Sequence, residues 1–129
     1  MAEKSIFLIS PVRNVTDEEK KFIEGYITEL KEKGYEVYNP INDTDQNDPY
    51  GLKICLENRK AIANADEIHI YWNPKSTGSI FDLGIVFGMN YTVEEKKKIH
   101  LINKDDFEIK PPKSFTNVVK LYDYFQEHI

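Results

Sequence analysis

The chain has 129 residues, of which 40% are hydrophobic and 30% are charged, and its formal net charge is −5. This length supports one hydrophobic core, so we expect a single domain over residues 1–129. The negative charge argues against a polymeric nucleic acid as partner, because binding to a phosphate backbone requires a basic surface. A single phosphate group needs only one arginine or a helix N-terminus.

Cysteine content and hydropathy bear on the location of the protein. Cys55 is the only cysteine, so no intrachain disulfide can form, which favours a reducing compartment. The longest early apolar run, residues 6–9, is too short for a signal peptide or a membrane span. We therefore expect a cytoplasmic protein with no membrane partner.

The first half of the chain predicts two strands and one helix. Residues 5–10 form a continuous apolar run, which is typical of a strand buried on both faces. Thr16 and Glu19 have the spacing of a capping box, and Gly34 is a typical helix stop. A second strand over 35–39 ends at Pro40, and a polar loop follows over 41–51.

The second half predicts two further strands, at 67–72 and 99–102, and three helices. Asp48-Pro49 is expected to cap the first of these helices, whose residues facing the sheet would be Leu52, Leu56, Arg59, Ile62 and Ala63. The next helix, from about residue 80 to 89, is apolar on nearly every side apart from Asp82. Ser114 is expected to cap the last helix, on which Phe115, Val118, Val119, Tyr122 and Phe125 share a face.

The alternation of strands and helices predicts an α/β fold. We expect a parallel sheet of four to five strands with helices on both faces and right-handed crossovers. Ligands of such sheets bind beyond the carboxyl ends of the strands, where the strand order reverses. Three segments should converge there: residues 10–13, 39–45 and 72–82. Ser10 and Asn39 come at the ends of the first two strands and are candidate ligand contacts.

Asp82 has two interpretations. If Ser79 is the N-cap of its helix, Asp82 is the third helical residue and returns the capping hydrogen bond while favouring the helix dipole. Alternatively, its carboxylate faces the crevice as a nucleophile or an electrostatic stabiliser.

The residues around Asp82 offer contacts for a ligand, each with a structural alternative. Ser76, Gly78 and Ser79 supply hydroxyls and N–H groups at a helix start, where an anion can bind, or they form a plain loop. Arg13 is placed to clamp a phosphate or is a surface arginine. Trp72 or Tyr71 stacks on a base or belongs to the core.

Other patterns in the sequence indicate packing or exclude known sites. Gly84 and Gly88 are expected to let their helix lie close to the sheet. The loop before Asp82 lacks the lysine of a P-loop, and no Gly-x-Gly-x-x-Gly occurs. The three histidines show no metal spacing with one another or with Cys55, so we expect no metal site.

Together these residues resemble the nucleoside 2-deoxyribosyltransferase family, which includes 2′-deoxynucleoside 5′-monophosphate N-glycosidases. The resemblance rests on Ser-Pro-Val-Arg after a strand, a helix ending Ala-Asp, and Ser76-x-Gly78-x-x-x-Asp82-x-Gly84. It covers most of the chain in the order of its elements. The resemblance implies a flavodoxin-like fold and a homodimer or higher homo-oligomer, with some site residues lent by a neighbouring subunit.

The resemblance also implies roles for individual residues. The family's nucleophile, a Glu, falls on Asp82, which is one methylene shorter. Ser76, Gly78 and Arg13 fall where the monophosphate branch holds a phosphate. Asn58 falls near the position of an Asp that assists the leaving base, and an amide cannot transfer a proton as a carboxyl can.

The implied reaction follows the retaining glycosidase pattern and needs no cofactor. Asp82 would attack the anomeric carbon of a nucleoside or its monophosphate and form a covalent glycosyl-enzyme. Water, or a second base, would then accept the sugar. Two other functions remain open from the sequence. One is a non-catalytic nucleotide-binding or sensing domain that has lost the chemistry. The other is an NAD-cleaving domain like that of the Toll/interleukin-receptor type.

Overall fold

The computed structural model describes residues 4–129, and its four strands form one sheet in the order β2-β1-β3-β4. The strands are β1 (Ser5–Ile9), β2 (Glu36–Tyr38), β3 (Glu67–Ile70) and β4 (Lys98–Leu101). Every neighbouring pair is parallel. The prediction of a parallel α/β sheet is therefore confirmed, and the order of the strands is consistent with a flavodoxin-like fold.

Five α-helices connect or follow the strands in this part of the chain. They are α1 (Asp17–Glu32), α2 (Pro40–Asp43), α3 (Leu52–Asn64), α4 (Thr77–Thr92) and α5 (Phe115–Phe125). Short 3-10 turns occupy Lys104–Asp106 and Gln126–His128. The four-residue helix α2 lies in the segment predicted to be a polar loop.

Alternate residues of β1 supply two separate cores, as expected for a strand buried on both faces. Leu8 packs with Ile23 and Ile27 of α1. Phe7 and Ile9 point to the other face and belong to a larger cluster with residues of α3, α4 and α5. Helix α1 therefore covers one face and three helices cover the other, which confirms helices on both faces.

Helix α1 has the ends that its sequence predicts. The Glu19 N–H donates to Thr16 Oγ1 over 3.1 Å, and the Thr16 N–H donates to Glu19 Oε1 over 3.3 Å. Gly34 follows the helix with a φ of 91°, a left-handed conformation that glycine adopts readily. Local sequence alone accounts for both boundaries.

The inward face of α3 differs from the predicted one. Asn58 and Ile62 are its buried residues, whereas Leu52, Leu56, Arg59 and Ala63 are exposed. Two stripes at helical spacing run along this helix; the stripe with Leu52 and Leu56 faces outward, and the predicted inward position of Ile62 is confirmed. The buried stripe tolerates the polar Asn58 because Thr44 donates a hydrogen bond to it over 2.7 Å.

Helix α3 also starts later than predicted. Its N-cap is Gly51, which has a φ of 87° and no capping side chain. The carboxylate of Asp48 still satisfies the first turn from outside the helix, since it accepts from the Lys53 N–H over 2.7 Å. The capping role of Asp48 was thus predicted, but the helix was placed too early.

The N-cap of helix α4 lies three residues before the expected one, Ser79. Ser76 caps it, and Ser79 is the third helical residue. Gly84 and Gly88 are exposed, and a Cβ built on either would meet no atom within 4 Å. The predicted close approach of these glycines to the sheet is therefore wrong.

The free edge of β4 is closed by side chains of the C-terminal segment. The Ile99 N–H donates to Gln126 Oε1, and Gln126 Nε2 donates to the Ile99 carbonyl, each over 2.9 Å. The Leu101 N–H donates to Asp123 Oδ1 over 3.0 Å. These groups pair the strand as a fifth strand would, and they protect an edge that could otherwise pair with another chain.

Replacing Gln126 by alanine should destabilise the fold. The change leaves the N–H and C=O of Ile99 without their partners, so we expect the free energy of unfolding to fall by about 1–3 kcal/mol. Urea unfolding measures this. Glu127→Ala is the matched control, because the Glu127 side chain is exposed and makes no hydrogen bond within residues 4–129. Equal losses in the two variants would contradict the role given to Gln126.

Candidate functional site

The strand order reverses between β1 and β3. The chain leaves β1 through α1 on one face of the sheet and leaves β3 through α4 on the other. The loops after the two strands therefore diverge at the carboxyl edge of the sheet. In open α/β sheets this divergence creates the crevice in which ligands bind. Ser10, Arg13 and residues 72–82 lie at this edge, as the sequence predicts.

Asp82 lies in the second turn of α4 and is buried, with 8% of its surface exposed. Because Ser76 is the N-cap, Asp82 is the sixth helical residue, and the capping-box interpretation is excluded. Its carboxylate makes no hydrogen bond with any side chain or backbone group of residues 4–129. Its oxygens are not fully enclosed, since Ser10 Oγ is the one fully buried side-chain polar atom without a partner among residues 4–129. Desolvation of a charged carboxylate that has no partner still destabilises a fold, so packing gives no reason for this residue.

Burial raises the pKa of Asp82 to about 7, since the charged carboxylate loses solvation. The group is then divided between its charged and neutral forms near neutral pH. A carboxyl group in this state can act as a nucleophile, a base or a hydrogen-bond donor.

Ser10 is a second polar group without a partner at this edge. It follows β1 directly, is 6% exposed, and its Oγ has no hydrogen-bond partner within residues 4–129. Arg13 lies in the same loop with its side chain exposed and in no ion pair with the described residues. The loop therefore offers one buried hydroxyl and one exposed cation to a ligand.

At the start of α4 the serine hydroxyls are engaged in capping the helix, while two backbone N–H groups remain available to a ligand. Ser76 Oγ accepts from the Ser79 N–H over 3.3 Å and lies 2.8 Å from Ser79 Oγ. Ser79 is fully buried, so its hydroxyl supports the cap. Gly78 is exposed, and the N–H groups of Thr77 and Gly78 precede the first intrahelical bond. An anion at this end would meet those N–H groups.

Asn58 belongs to a buried polar chain that sequence reasoning did not find. Tyr38 Oη lies 2.6 Å from Thr44 Oγ1, which donates to Asn58 Oδ1 over 2.7 Å. The oxygen of the Asn58 amide is thus engaged, while its nitrogen makes no hydrogen bond within residues 4–129. Thr44 lies in a polar loop with no periodic pattern, so no sequence signal marked it.

Asn39 has a local structural role. It caps α2, with its Oδ1 accepting from the Ile41 N–H over 3.4 Å, and its own N–H donates to Asp43 Oδ2 over 2.8 Å. The residue is buried at the carboxyl end of β2, next to β1 in the sheet. Asn39 therefore lies at the predicted edge of the sheet, and its side-chain oxygen is engaged in capping α2.

Trp72 is placed in the core, with 1% of its surface exposed. Its Nε1 donates to Thr116 Oγ1 over 3.0 Å. Asn103, which the sequence reasoning missed, fixes the backbone of Trp72 through two hydrogen bonds of 2.8 and 2.9 Å. The indole therefore packs α5 against the sheet, and its position does not support stacking on a ligand. The only sequence signal for this role of Asn103 was the presence of a polar residue just after β4.

Two absences within residues 4–129 bear on the type of site. No group of three or more His, Cys, Asp or Glu side chains is arranged to hold a metal ion. None of the helices in the described part combines the length and apolar character of a membrane span.

Comparisons of the chain with protein-family models, curated proteins and solved structures found no match. A function for this chain therefore has to be inferred from the geometry of the crevice.

Replacing Asp82 by asparagine should stabilise the protein in a pH-dependent way. The pKa of Asp82 is raised in the folded state, so its stabilising contribution is complete below pH 4 and is lost as the pH rises to 7. Asn stays neutral, and we expect its advantage over Asp to grow across this range to about 4 kcal/mol at most. Urea unfolding at pH 4, 6 and 8 measures the difference. Asp105→Asn, at an exposed carboxylate, should show no such trend. A constant difference at all three pH values would contradict the burial of a charged Asp82.

Proposed function

We propose that this protein cleaves or transfers the N-glycosidic bond of a deoxynucleoside or its 5′-monophosphate, as members of the nucleoside 2-deoxyribosyltransferase family do. The observation that carries the proposal is Asp82, a buried carboxylate without a partner in residues 4–129, one turn into the helix that borders the crevice. A carboxylate at this position lowers the stability of the fold, and a role in the reaction explains why the residue is present.

In the proposed reaction, ionised Asp82 attacks the anomeric carbon of the sugar. The carbon–nitrogen bond breaks, and its electron pair leaves with the base. Because Asn58 has no proton to donate as an acid, the base takes its proton from solvent. Water then attacks the anomeric carbon of the glycosyl-enzyme ester, the bond to Asp82 breaks and restores the carboxylate, and the proton lost by the water returns to solvent. A second base in place of water completes a transfer.

The proposed phosphate end of the substrate lies at the start of α4. The N–H groups of Thr77 and Gly78, the dipole of a 16-residue helix and the side chain of Arg13 all favour an anion. Ser10 supports the same assignment, because its buried hydroxyl lacks a partner in the described chain. A 5′-monophosphate is therefore the proposed substrate form.

One observation favours a non-catalytic nucleotide-binding or sensing domain as the second candidate. The Asn58 oxygen accepts from Thr44, so the position resembling the family's acid is built into the fold as a hydrogen-bond acceptor. A domain of this kind would keep the crevice and bind nucleotide without releasing base.

Release of free base from deoxynucleosides, their 5′-monophosphates and NAD tests the proposal. We expect base from at least one deoxynucleotide, and Asp82→Ala should lower the rate by a factor on the order of 10³ or more. Asp82→Glu, which restores the length of the family's nucleophile, should retain or raise the rate. Base is detected by chromatography.

Three outcomes of this assay would contradict the proposal. Nucleotide binding without base release from any compound would favour the sensing domain. Nicotinamide release from NAD alone would favour the Toll/interleukin-receptor type of activity. Equal turnover by wild type and Asp82→Ala would remove Asp82 as the nucleophile. Because the ionised form attacks, we also expect the rate to rise about tenfold per pH unit up to pH 7 and to level off above it.

We also propose that the protein forms a homo-oligomer through the outer face of α4. Asp82 is the only charged residue among the 16 of this helix, and helices apolar on all sides are normally buried. In the isolated chain, Phe81, Phe87 and Tyr91 are 57%, 55% and 90% exposed. Aromatic residues grouped on one exposed helix support an interface between subunits.

Gly84→Glu tests this interface. A Cβ built at residue 84 meets no atom within 4 Å, and the residue is exposed, so the fold should tolerate a glutamate that brings a charge into the interface. We expect sedimentation to show an oligomer for wild type and a monomer for Gly84→Glu. Gly25→Glu is the control, since Gly25 is an exposed glycine of α1 with equally free surroundings. A monomeric wild type, or dissociation by both variants, would overturn the assignment.

A further inference from the structure

A groove of about 620 Å³ runs between β2 and α3, apart from the crevice at Asp82. It exists because the helix after β2, α2, is only four residues long and leaves this part of the sheet uncovered. Its walls extend from Ser5 at the start of β1 to Asp43 at the end of α2. The volume lies within the range of small-molecule sites in proteins.

The floor of the groove is apolar and includes one aromatic ring. Tyr38, Ala61 and Ala65 line it from the face of the sheet that α3 covers, whereas the side chain of Val37 packs toward α1 on the opposite face and leaves only its backbone to the groove. Phe7 stacks on the Tyr38 ring with 5.4 Å between centroids and 14° between planes. Since Phe7 covers one face of the half-buried ring, its remaining surface is available to the groove. A flat apolar group of a ligand would find contacts here.

The rim of the groove is acidic. Glu36, Asp43 and Glu57 line it, and Lys60 is the one cation among the lining residues. Asp43 and Glu57 each accept one backbone hydrogen bond, from Asn39 and Asp45 respectively, which holds their carboxylates in place. Three carboxylates against one ammonium favour a positively charged ligand over a negative one.

The groove is connected to a candidate site residue. Tyr38 lines the groove, and its hydroxyl lies in the hydrogen-bond chain that leads through Thr44 to Asn58. A ligand against Tyr38 would therefore contact a group that holds the Asn58 amide. The binding of a ligand does not depend on the reaction proposed for Asp82.

We propose that the β2–α3 groove is a second binding site and that it takes a small organic cation, an amine attached to a planar apolar ring. The ring lies on the floor beside Tyr38, and the ammonium lies at the rim between the carboxylates of Glu36 and Glu57. The short α2, the apolar floor and the acidic rim together define this chemistry.

Isothermal titration calorimetry of the full chain with tryptamine, indole and indole-3-acetate tests the site. These probes share a ring and differ in charge. We expect saturable binding of tryptamine, at least tenfold weaker binding of indole, and weaker binding still of indole-3-acetate. Ala61→Leu fills the floor and should weaken tryptamine binding at least tenfold. Ala63→Leu, at an exposed position of the same helix, should leave it unchanged.

A second variant keeps the test valid if Ala61→Leu does not fold. In Glu36→Gln/Glu57→Gln the rim loses two charges while each side chain keeps an oxygen acceptor, so tryptamine should lose its advantage over indole. The proposal is overturned if tryptamine fails to bind, if indole-3-acetate binds as tightly as tryptamine, or if both the folded Ala61→Leu and the rim variant bind like wild type.

Discussion

The parallel pairing of β1 with β3 is the contact on which the rest of this structure depends. Ile6 to Ile9 align with Glu67 to Ile70, so the central strands hold the core from both faces. The chain must leave one strand toward β2 and the other toward β4, and it does so over opposite faces. These two connections separate α1 from α4 and open the crevice between them. Ser10 and the start of α4 are brought to one edge by this topology alone.

The same arrangement explains how the fold tolerates Asp82, whose burial lowers stability. The core beneath α4 is built by Leu83 and Val86, which come after Asp82 on the same helix and are almost fully buried. Their packing holds the helix in place whether or not Asp82 is charged, so the carboxylate can be desolvated without losing the element that carries it. The buried Thr44–Asn58 pair is different, because each residue satisfies the other and the network contributes to the fold. Of the two candidate catalytic residues, only Asp82 is left without a structural explanation.

Much of the fold could be predicted from the sequence, because its signals are local. The apolar run at 5–10 and the Thr16–Glu19 capping box correspond to β1 and to the start of α1. Predictions failed where the sequence offers two equivalent solutions. Ser76 and Ser79 are both good caps for α4, and α3 carries two stripes at helical spacing. The environments of Asn58 and Asn103 were beyond local reasoning, since they come from Thr44 and the backbone after β3. For Trp72 the sequence left a ligand contact and the core as alternatives, and its burial beside Thr116 places it in the core. For the candidate site, the sequence predicted the edge of the sheet but not which side chains would be unpartnered.

Two outer surfaces, the edge of β4 and the exposed face of α4, differ in whether polar side chains cover them. At β4, Gln126 and Asp123 occupy the hydrogen-bonding groups that an incoming strand would need, so this edge is closed by the chain itself. At α4, by contrast, the exposed face keeps Phe81, Phe87 and Tyr91, and no charge interrupts it. The two surfaces therefore differ. The β4 edge is covered by polar side chains, whereas the exposed face of α4, next to the buried Asp82, stays aromatic. That difference is what a face shared with another subunit would produce: residues that pack against a partner stay apolar, and edges that must not pair are capped.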